Sequence, residues 1–352
     1  MLPYLTEHYA DPGRLHGEGR VTRVAVEEAR EQVAACFGAR PREVVFTASG
    51  TEAVNTAVWG ASARSPGGQI VTTAVEHSAV LDAVGRAPGE HCVIGVDGLG
   101  RFDADEVIGA ITPETALVSV QVANHEVATA QPVDQIVAEC RDREVLVHLD
   151  ACMANGHVAV DFGASSADLC SLSAHKFGGP KGVGALLVRR GLRLEPFVVG
   201  GAQERARRGG LEAVPAIVGF GAASAEVQDR REEEAATARG QTEVMATAAL
   251  RVDDITRYGD PHERVPHLVC LGIGGVEAEP ILLALDQRGV AVHSGSACSS
   301  EALEPSPVLA AMGVDADHSL RVSVGWSTTD ADVAAFVDAF PPVVASLRAL
   351  RA

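Results

Sequence analysis

Short apolar runs rich in β-branched residues alternate with amphipathic segments along most of the chain. The runs predict strands, and the segments between them, in which apolar residues recur at helical spacing, predict helices. The predicted strands are Val44–Phe46, Ile70–Thr73, Cys92–Val96, Ala116–Val122, Val145–Leu149, Asp168–Leu172 and Val183–Val188. The predicted helices are Glu52–Ala63, Ser78–Gly85, Ala104–Ile111 and Val133–Arg143. This alternation is typical of an α/β fold, with a mostly parallel sheet covered by helices on both faces.

The pattern changes in the last third of the chain. A long helical stretch from Ile217 to about Leu250 carries the charged run Asp229–Glu234, which we interpret as a solvated helix face. Smaller elements follow, with predicted strands at His267–Leu271, Val290–Val292 and Ser319–Val324 and predicted helices at Ala278–Gln287 and from Asp330. Because 352 residues exceed one ordinary core, we predict a large domain over residues 1–230 and a smaller one over residues 231–352.

Charge and cysteine content limit the possible functions. The 47 acidic and 29 basic residues give a net charge of −18, which argues against a nucleic-acid partner because phosphate binding needs a basic surface. No signal-peptide pattern and no membrane-spanning apolar run occur, so we expect a cytoplasmic protein without a membrane partner. The 7 cysteines include no CxxC pair, which argues against disulfides and a structural zinc site. We interpret most of them, Cys298 excepted, as inert core residues.

Residues with chemical potential follow several predicted strands. Ligands of parallel α/β sheets bind at the carboxyl ends of strands, so these residues are candidates for one site. The turn that contains Gly50 and Thr51 precedes a helix, and it suits either an anion site or a simple helix cap. The other strand ends carry His77, then Asn124 and His125, then Asp150, and finally Ser173, His175 and Lys176. Alone, Lys176 would be a solvated lysine; with the other groups, it predicts a Schiff-base lysine in a pyridoxal phosphate site.

Motifs along nearly the whole chain support a closer resemblance. They include VVFTASGTEAVN, EHSAVLDAV, HLDACMANGHVAVD, SLSAHKFGGPKGVGALLVRR, HSGSACSSEALEPSPVLAAMG and SLRVSVGWSTT. The set is similar to the cysteine desulfurases of the iron–sulfur-cluster-assembly kind, within the class V aminotransferase superfamily of fold-type I pyridoxal phosphate enzymes. The resemblance implies a large domain with a mixed, mostly parallel sheet and a smaller α+β C-terminal domain.

The resemblance also implies residue roles. Lys176 would form the Schiff base, Asp150 would pair with the pyridine nitrogen, and His77 would stack on the ring and move protons. The phosphate ligands would be Gly50, Thr51, Ser173 and His175. Arg321 would bind the carboxylate of the L-cysteine substrate, a bidentate task that suits guanidinium. Cys298 would take the sulfur as a persulfide, leave L-alanine, and pass the sulfur to an acceptor protein; a homodimer is implied as well.

Three positions depart from the family pattern. His125 replaces the second asparagine of an Asn-Asn-Glu motif and is expected to donate to the phenolic oxygen of the cofactor in its place. Met153 replaces a glutamine and Leu211 replaces a threonine, and neither side chain can donate a hydrogen bond. We therefore expect pyridoxal phosphate to bind more weakly than in close relatives. Another pyridoxal phosphate reaction, such as that of a C–S lyase or selenocysteine lyase, and a catalytically degenerate scaffold are the alternatives.

Overall fold

The chain folds into two compact units in a computed structural model that describes residues 1–294 and 305–350. The first unit consists of Met1–Ile94, Asp103–Val122 and Pro132–Arg231. The second consists of Gly95–Phe102, Ala123–Gln131 and the chain from Glu232 onward. The functions assigned to residues 1–230 and 231–352 stay a prediction.

The first unit, which the structure describes completely, contains a seven-stranded sheet. Its strands are β1 (Val44–Thr47), β2 (Gln69–Thr73), β3 (His91–Ile94), β4 (Thr115–Gln121), β5 (Leu146–Asp150), β6 (Leu169–Ser173) and β7 (Gly184–Val188). Their order is β1-β7-β6-β5-β4-β2-β3. Strands β2 to β6 pair in parallel, whereas β7 is antiparallel to both β6 and β1. The predicted mixed, mostly parallel sheet is confirmed.

Helices cover this sheet. They are α1 (Leu2–Thr6), α2 (Gly17–Cys36), α3 (Gly50–Arg64), α4 (Ser78–Arg86), α5 (Ala104–Gly109), α6 (Val133–Asp142), α7 (Phe162–Ser165) and α8 (Gln203–Ala206). Apolar residues of α3 and α4 pack against Leu117 of β4. The sequence pattern missed α2, because its buried positions are mostly alanine, valine and threonine and give a weak apolar repeat. Nowhere in the described ranges does a helix combine the length and apolarity of a membrane span.

The described part of the second unit holds a smaller antiparallel sheet. Its strands are β8 (Ile255–Tyr258), β9 (Leu268–Ile273), β10 (His293–Ser294) and β11 (Ser319–Ser323), in the order β10-β11-β9-β8. Its helices are α10 (Ala278–Asp286), α11 (Pro307–Ala311) and α12 (Asp330–Ala349), while α9 (Val214–Ala249) begins in the first unit. The predicted strand Val290–Val292 is wrong, because pairing with β11 begins only at His293. The predicted smaller α+β part is confirmed.

The sheet face under α3 changes from apolar to polar toward the carboxyl ends of the strands. Alternate residues of a strand point to the same face, so β4, β5 and β6 together present three rows there. We number the rows by order along each strand: the first row is Leu117, Leu146 and Leu169, the middle row is Ser119, His148 and Ser171, and the last row is Gln121, Asp150 and Ser173. Between β4 and β5 the rows follow the register of the sheet, whereas β6 is offset by two residues, since Leu169 is the register partner of His148 and Ser171 that of Asp150. The first row packs against α3 and α4. The last row opens the candidate site.

Candidate active site

The turn between β1 and α3 places a helix N-terminus at the end of the sheet. Ser49 caps the helix, since its Oγ accepts a hydrogen bond of 3.1 Å from the N–H of Glu52. The N–H groups of Gly50 and Thr51 have no partner among the residues that the structure describes. These groups, with the positive end of the helix dipole, suit an anion. The cap is confirmed, and the anion site stays a prediction.

Gly50 lies where no side chain fits. A Cβ atom on this residue would lie 2.6 Å from Sγ of Cys152 and 3.1 Å from Cβ of Ser173. The N-terminus of α3 is therefore packed directly against the residues at the ends of β5 and β6. The ends of β1, β5 and β6, which the sequence assigned to one pocket, therefore lie together here.

Asp150 ends β5 and has only 8% of its surface exposed. Its Oδ1 accepts a hydrogen bond of 2.9 Å from the N–H of Cys152. The Cys152 thiol also forms a hydrogen bond with this carboxylate. Burial, together with the charge of Asp150, raises the pKa of the thiol well above its usual range. A thiol with so high a pKa is a poor nucleophile, which agrees with the interpretation of most cysteines other than Cys298 as inert. The sequence did not single out Cys152 as a neighbour of Asp150, although it lies only two residues further along the chain.

Lys176 follows β6 in a single 3-10 turn, Ala174–Phe177. Its side chain is exposed, and within the described ranges its amine has neither a hydrogen-bond nor an ion-pair partner. Its positive charge nevertheless acts on the pKa values of Cys152 and His175, so the amine lies near both. An unpaired amine whose charge acts on the thiol beside Asp150 and Gly50 suits a Schiff-base lysine.

The predicted phosphate ligands at the end of β6 contact each other. Ser173 Oγ lies 3.0 Å from Nδ1 of His175. Burial lowers the pKa of His175, and the charges of Lys176 and Lys181 lower it further, which favours the neutral imidazole. The N–H of Ser173 donates to Oδ1 of Asn155 at 2.9 Å, which fixes the strand end. Ser173 and His175 are thus placed as one polar group beside Gly50.

His77 lies in the turn after β2 and caps α4 through Nδ1, which accepts a hydrogen bond of 3.0 Å from the N–H of Ala79. Glu76, which the sequence did not single out, fixes this turn. Its buried carboxylate accepts from Thr73 Oγ1 at 2.6 Å and from the N–H of Gln121 at 3.0 Å. Because Gln121 is the register partner of Asp150, His77 lies at the same end of the sheet as the carboxylate.

Two further candidates lie together in the second unit. Arg321 donates from Nη1 to the carbonyl oxygen of His125 at 3.0 Å. Nε2 of His125 lies 3.5 Å from the buried carboxylate of Glu126, which also accepts a hydrogen bond from Ser306. The predicted nucleophile Cys298 lies outside the described residues. The catalytic and binding roles of all these residues stay predictions.

His148 lies in the middle row and was not predicted to be a site residue. Its Nδ1 is 2.8 Å from Ser119 Oγ, and its Nε2 is 2.8 Å from Ser171 Oγ. Burial lowers the pKa of His148 to about 4, although the charge of Asp150 acts in the opposite direction. The folded protein therefore keeps this imidazole neutral.

This burial predicts a dependence of stability on pH. A histidine in the unfolded chain titrates near pH 6.5. Between pH 6.5 and 4 the unfolded chain therefore binds a proton at this position that the folded protein does not bind, so the free energy of unfolding decreases as the pH is lowered. We expect His148 alone to lower the free energy of unfolding by about 2 kcal/mol from pH 7 to pH 5. Urea unfolding of the wild type and of His148→Gln, which cannot titrate, measures this effect. Equal losses in the two proteins would contradict it.

Comparison with known proteins places the chain in a family. The description "Aminotransferase class-V" matches residues 1–336. A cysteine desulfurase of Trichormus azollae is 39% identical over 99% of this chain and 90% of its own length. The cysteine desulfurase IscS of Methanosarcina thermophila is 37% identical over 99% of this chain and 88% of its own length. A solved structure titled NifS-like protein superimposes with a TM-score of 0.92 at 28% identity, covering 98% of this chain and 94% of that one.

These matches extend over almost the entire chain and agree with the arrangement at the strand ends. They confirm the family that the motifs predicted. The chain therefore belongs to the class V aminotransferase family and, within it, to the cysteine desulfurases.

Proposed function

We propose that the protein is a pyridoxal phosphate-dependent enzyme that converts L-cysteine to L-alanine and delivers the sulfur, through a persulfide on Cys298, to an acceptor protein. One observation carries the proposal: the unpaired amine of Lys176 and the carboxylate of Asp150 both act on the Cys152 thiol, which lies with Ser173 against Gly50 at the N-terminus of α3. The substrate is suggested by the relatives, which are named cysteine desulfurases.

The residues at the strand ends fit pyridoxal phosphate. The N–H groups of Gly50 and Thr51 and the hydroxyl of Ser173 form a donor set for a phosphate, and the missing Cβ of Gly50 leaves the close approach open. Asp150 supplies the carboxylate for a protonated pyridine nitrogen, and Lys176 supplies the amine for the aldehyde. When bound, this cofactor withdraws electrons from Cα of the amino-acid substrate and makes the substituent on Cβ labile.

Each protein group then has a task in the reaction. Asp150, held by the N–H of Cys152, would keep a proton on the pyridine nitrogen of the bound cofactor. Lys176 removes the proton from Cα of the substrate once its amine is free. With the cofactor bound, His77 would stack on the ring and His125 would donate to the phenolic oxygen. Arg321 binds the substrate carboxylate through its planar guanidinium.

Cys298 performs the sulfur transfer. Its thiolate forms an S–S bond with the substrate sulfur as the Cβ–S bond breaks. The electron pair of that bond stays with Cβ, which takes up a proton, so that L-alanine leaves. A thiol of the acceptor protein then attacks the outer sulfur of the persulfide and regenerates the Cys298 thiolate. We also propose that the enzyme is a homodimer, which light scattering tests.

Replacing Cys298 with alanine tests the proposal. We expect alanine production from L-cysteine to fall at least about a hundredfold, because no other thiol is assigned to the attack, while pyridoxal phosphate still binds. Mass spectrometry of the wild type treated with L-cysteine should show one added sulfur on the peptide that contains Cys298. Cys92→Ala is the matched control, because Cys92 is a partly exposed cysteine on β3, away from the site, and its loss should leave turnover unchanged.

Two results would contradict the proposal. Full turnover of L-cysteine by Cys298→Ala would point to simple lyase chemistry. No visible absorbance of bound cofactor in the wild type after pyridoxal phosphate is added would favour a scaffold.

A further inference from the structure

We infer that His148 is a positioning residue for Asp150: held between Ser119 and Ser171, it supports the carboxylate that pairs with the pyridine nitrogen of the cofactor. The inference rests on the proposed pyridoxal phosphate site. It concerns a buried hydrogen-bonded chain of side chains that touches neither substrate nor cofactor in the proposed reaction.

The middle row forms a continuous chain of hydrogen bonds across three strands. Both ring nitrogens of His148 are 2.8 Å from serine hydroxyls, Ser119 Oγ on β4 and Ser171 Oγ on β6. All three residues have no exposed surface. Thr72 extends the chain to β2, since its hydroxyl donates to the carbonyl oxygen of Ser119 at 2.9 Å. The imidazole is therefore fixed from both sides.

Packing alone does not explain this row. The first row lies two residues earlier on the same strands and consists of leucines, whose burial stabilises a covered sheet face. A histidine and two serines at equivalent depth must be desolvated, and their hydrogen bonds only offset that cost. The middle row lies directly before the row that contains Asp150 and Ser173. The desolvation cost of its polar side chains therefore occurs beside the candidate site.

The position of His148 links it to Asp150. The two residues lie two positions apart on β5, so their side chains are on the same face, and the charge of Asp150 acts on the imidazole. The imidazole thus forms the layer directly beneath the carboxylate. A charged histidine in this layer would attract the carboxylate and compete with a protonated pyridine nitrogen. The neutral, hydrogen-bonded ring instead supports Asp150 and leaves its negative charge available.

Two substitutions at His148 separate positioning from packing. His148→Phe fills the space but leaves both serine hydroxyls without a partner, whereas His148→Gln keeps a donor and an acceptor. For each protein we would measure the Kd of pyridoxal phosphate, the ¹⁵N resonance of ring-labelled cofactor, and the melting temperature without cofactor. We expect His148→Phe to raise the Kd by about tenfold or more, as loss of an outer hydrogen-bonded partner of a ligand-holding group does. Its ¹⁵N resonance should move toward the neutral pyridine position, and His148→Gln should restore both values.

The outcomes distinguish this inference from the proposal on which it rests. If the wild type binds no pyridoxal phosphate, the proposed function fails. If the wild type binds it and His148→Phe melts at a lower temperature with unchanged Kd and ¹⁵N resonance, the row is structural and the inference is overturned. Should His148→Phe not fold, Ser171→Ala replaces it, because this change removes one partner of the imidazole and should shift the same resonance to a smaller extent.

Discussion

Replacement of Lys176 by alanine should yield a folded protein that makes no alanine from L-cysteine and holds no pyridoxal phosphate after dialysis. The fold should survive because the side chain is exposed and, in the part of the chain that the structure describes, contacts no partner that stabilises it. Activity should fall by about 10³-fold or more, since the residue is assigned both the covalent bond to the cofactor and the proton transfer at Cα. Absorbance of the dialysed protein and an alanine assay measure the two effects.

The chain offers an unusually clean control for this experiment. Lys176 and Lys181 are its only lysines, and both are exposed in the same glycine-rich stretch. Borohydride reduction of the loaded wild type and of Lys181→Ala should therefore place the cofactor mass on the peptide with residue 176. A stable adduct in Lys176→Ala, on Lys181 or elsewhere, would contradict the assignment.

Replacement of Glu204 by glutamine should lower the free energy of unfolding by about 3–5 kcal/mol, because it leaves a buried arginine uncompensated. The Glu204 carboxylate accepts from Nη1 and Nη2 of Arg30 at 2.6 and 2.8 Å, and from the N–H of Phe46 at 3.0 Å. Both side chains are almost fully buried. Burial alone would lower the pKa of Arg30, but the hydrogen bonds and charge of Glu204 raise it, so the guanidinium remains charged.

The backbone around Glu204 adds to the expected effect. Glu204, Arg205 and Ala206 have left-handed φ angles of 48°, 59° and 61°, which cost about 1 kcal/mol each in residues other than glycine. The ion pair holds this unfavourable turn in place. Urea unfolding measures the loss, and Glu226→Gln, in an exposed pair with Arg230, should change stability by only about 0.5 kcal/mol. Equal losses of stability in Glu204→Gln and Glu226→Gln would contradict this prediction. It would also be contradicted if adding Arg30→Met to Glu204→Gln did not restore stability.

Much of the fold could be predicted because its strands are continuous apolar runs. β4, β5 and β6 are buried on both faces, so their sequences differ clearly from the amphipathic helices between them. β8 escaped prediction because its four residues, Ile255–Tyr258, are only partly buried and show no such run. The boundary of β10 was missed because it depends on pairing with β11, a contact distant in sequence.

Residues of the candidate site could be predicted only where their type is unusual directly after a buried strand. Lys176 and Asp150 stand out for this reason. Cys152 and the middle row do not, because serine, cysteine and histidine inside apolar runs also suit ordinary buried positions. The relation of the middle row to Asp150 arises from strand alternation and from the pairing of β4, β5 and β6, which a single sequence does not display. Cys152 is related to Asp150 by the turn after β5, in which its N–H donates to the carboxylate.

The contacts of Glu204 also determine what happens at the border of the large sheet. β1 pairs only with β7 in the first unit, so its other side presents backbone groups that another chain is able to bind. Side chains occupy them: the carbonyl oxygen of Val44 accepts from Arg30 and Arg207, and the N–H of Phe46 donates to Glu204. Three ionic side chains thus shield the strand from intermolecular pairing. Weakening these contacts should make thermally unfolded protein aggregate rather than refold on cooling.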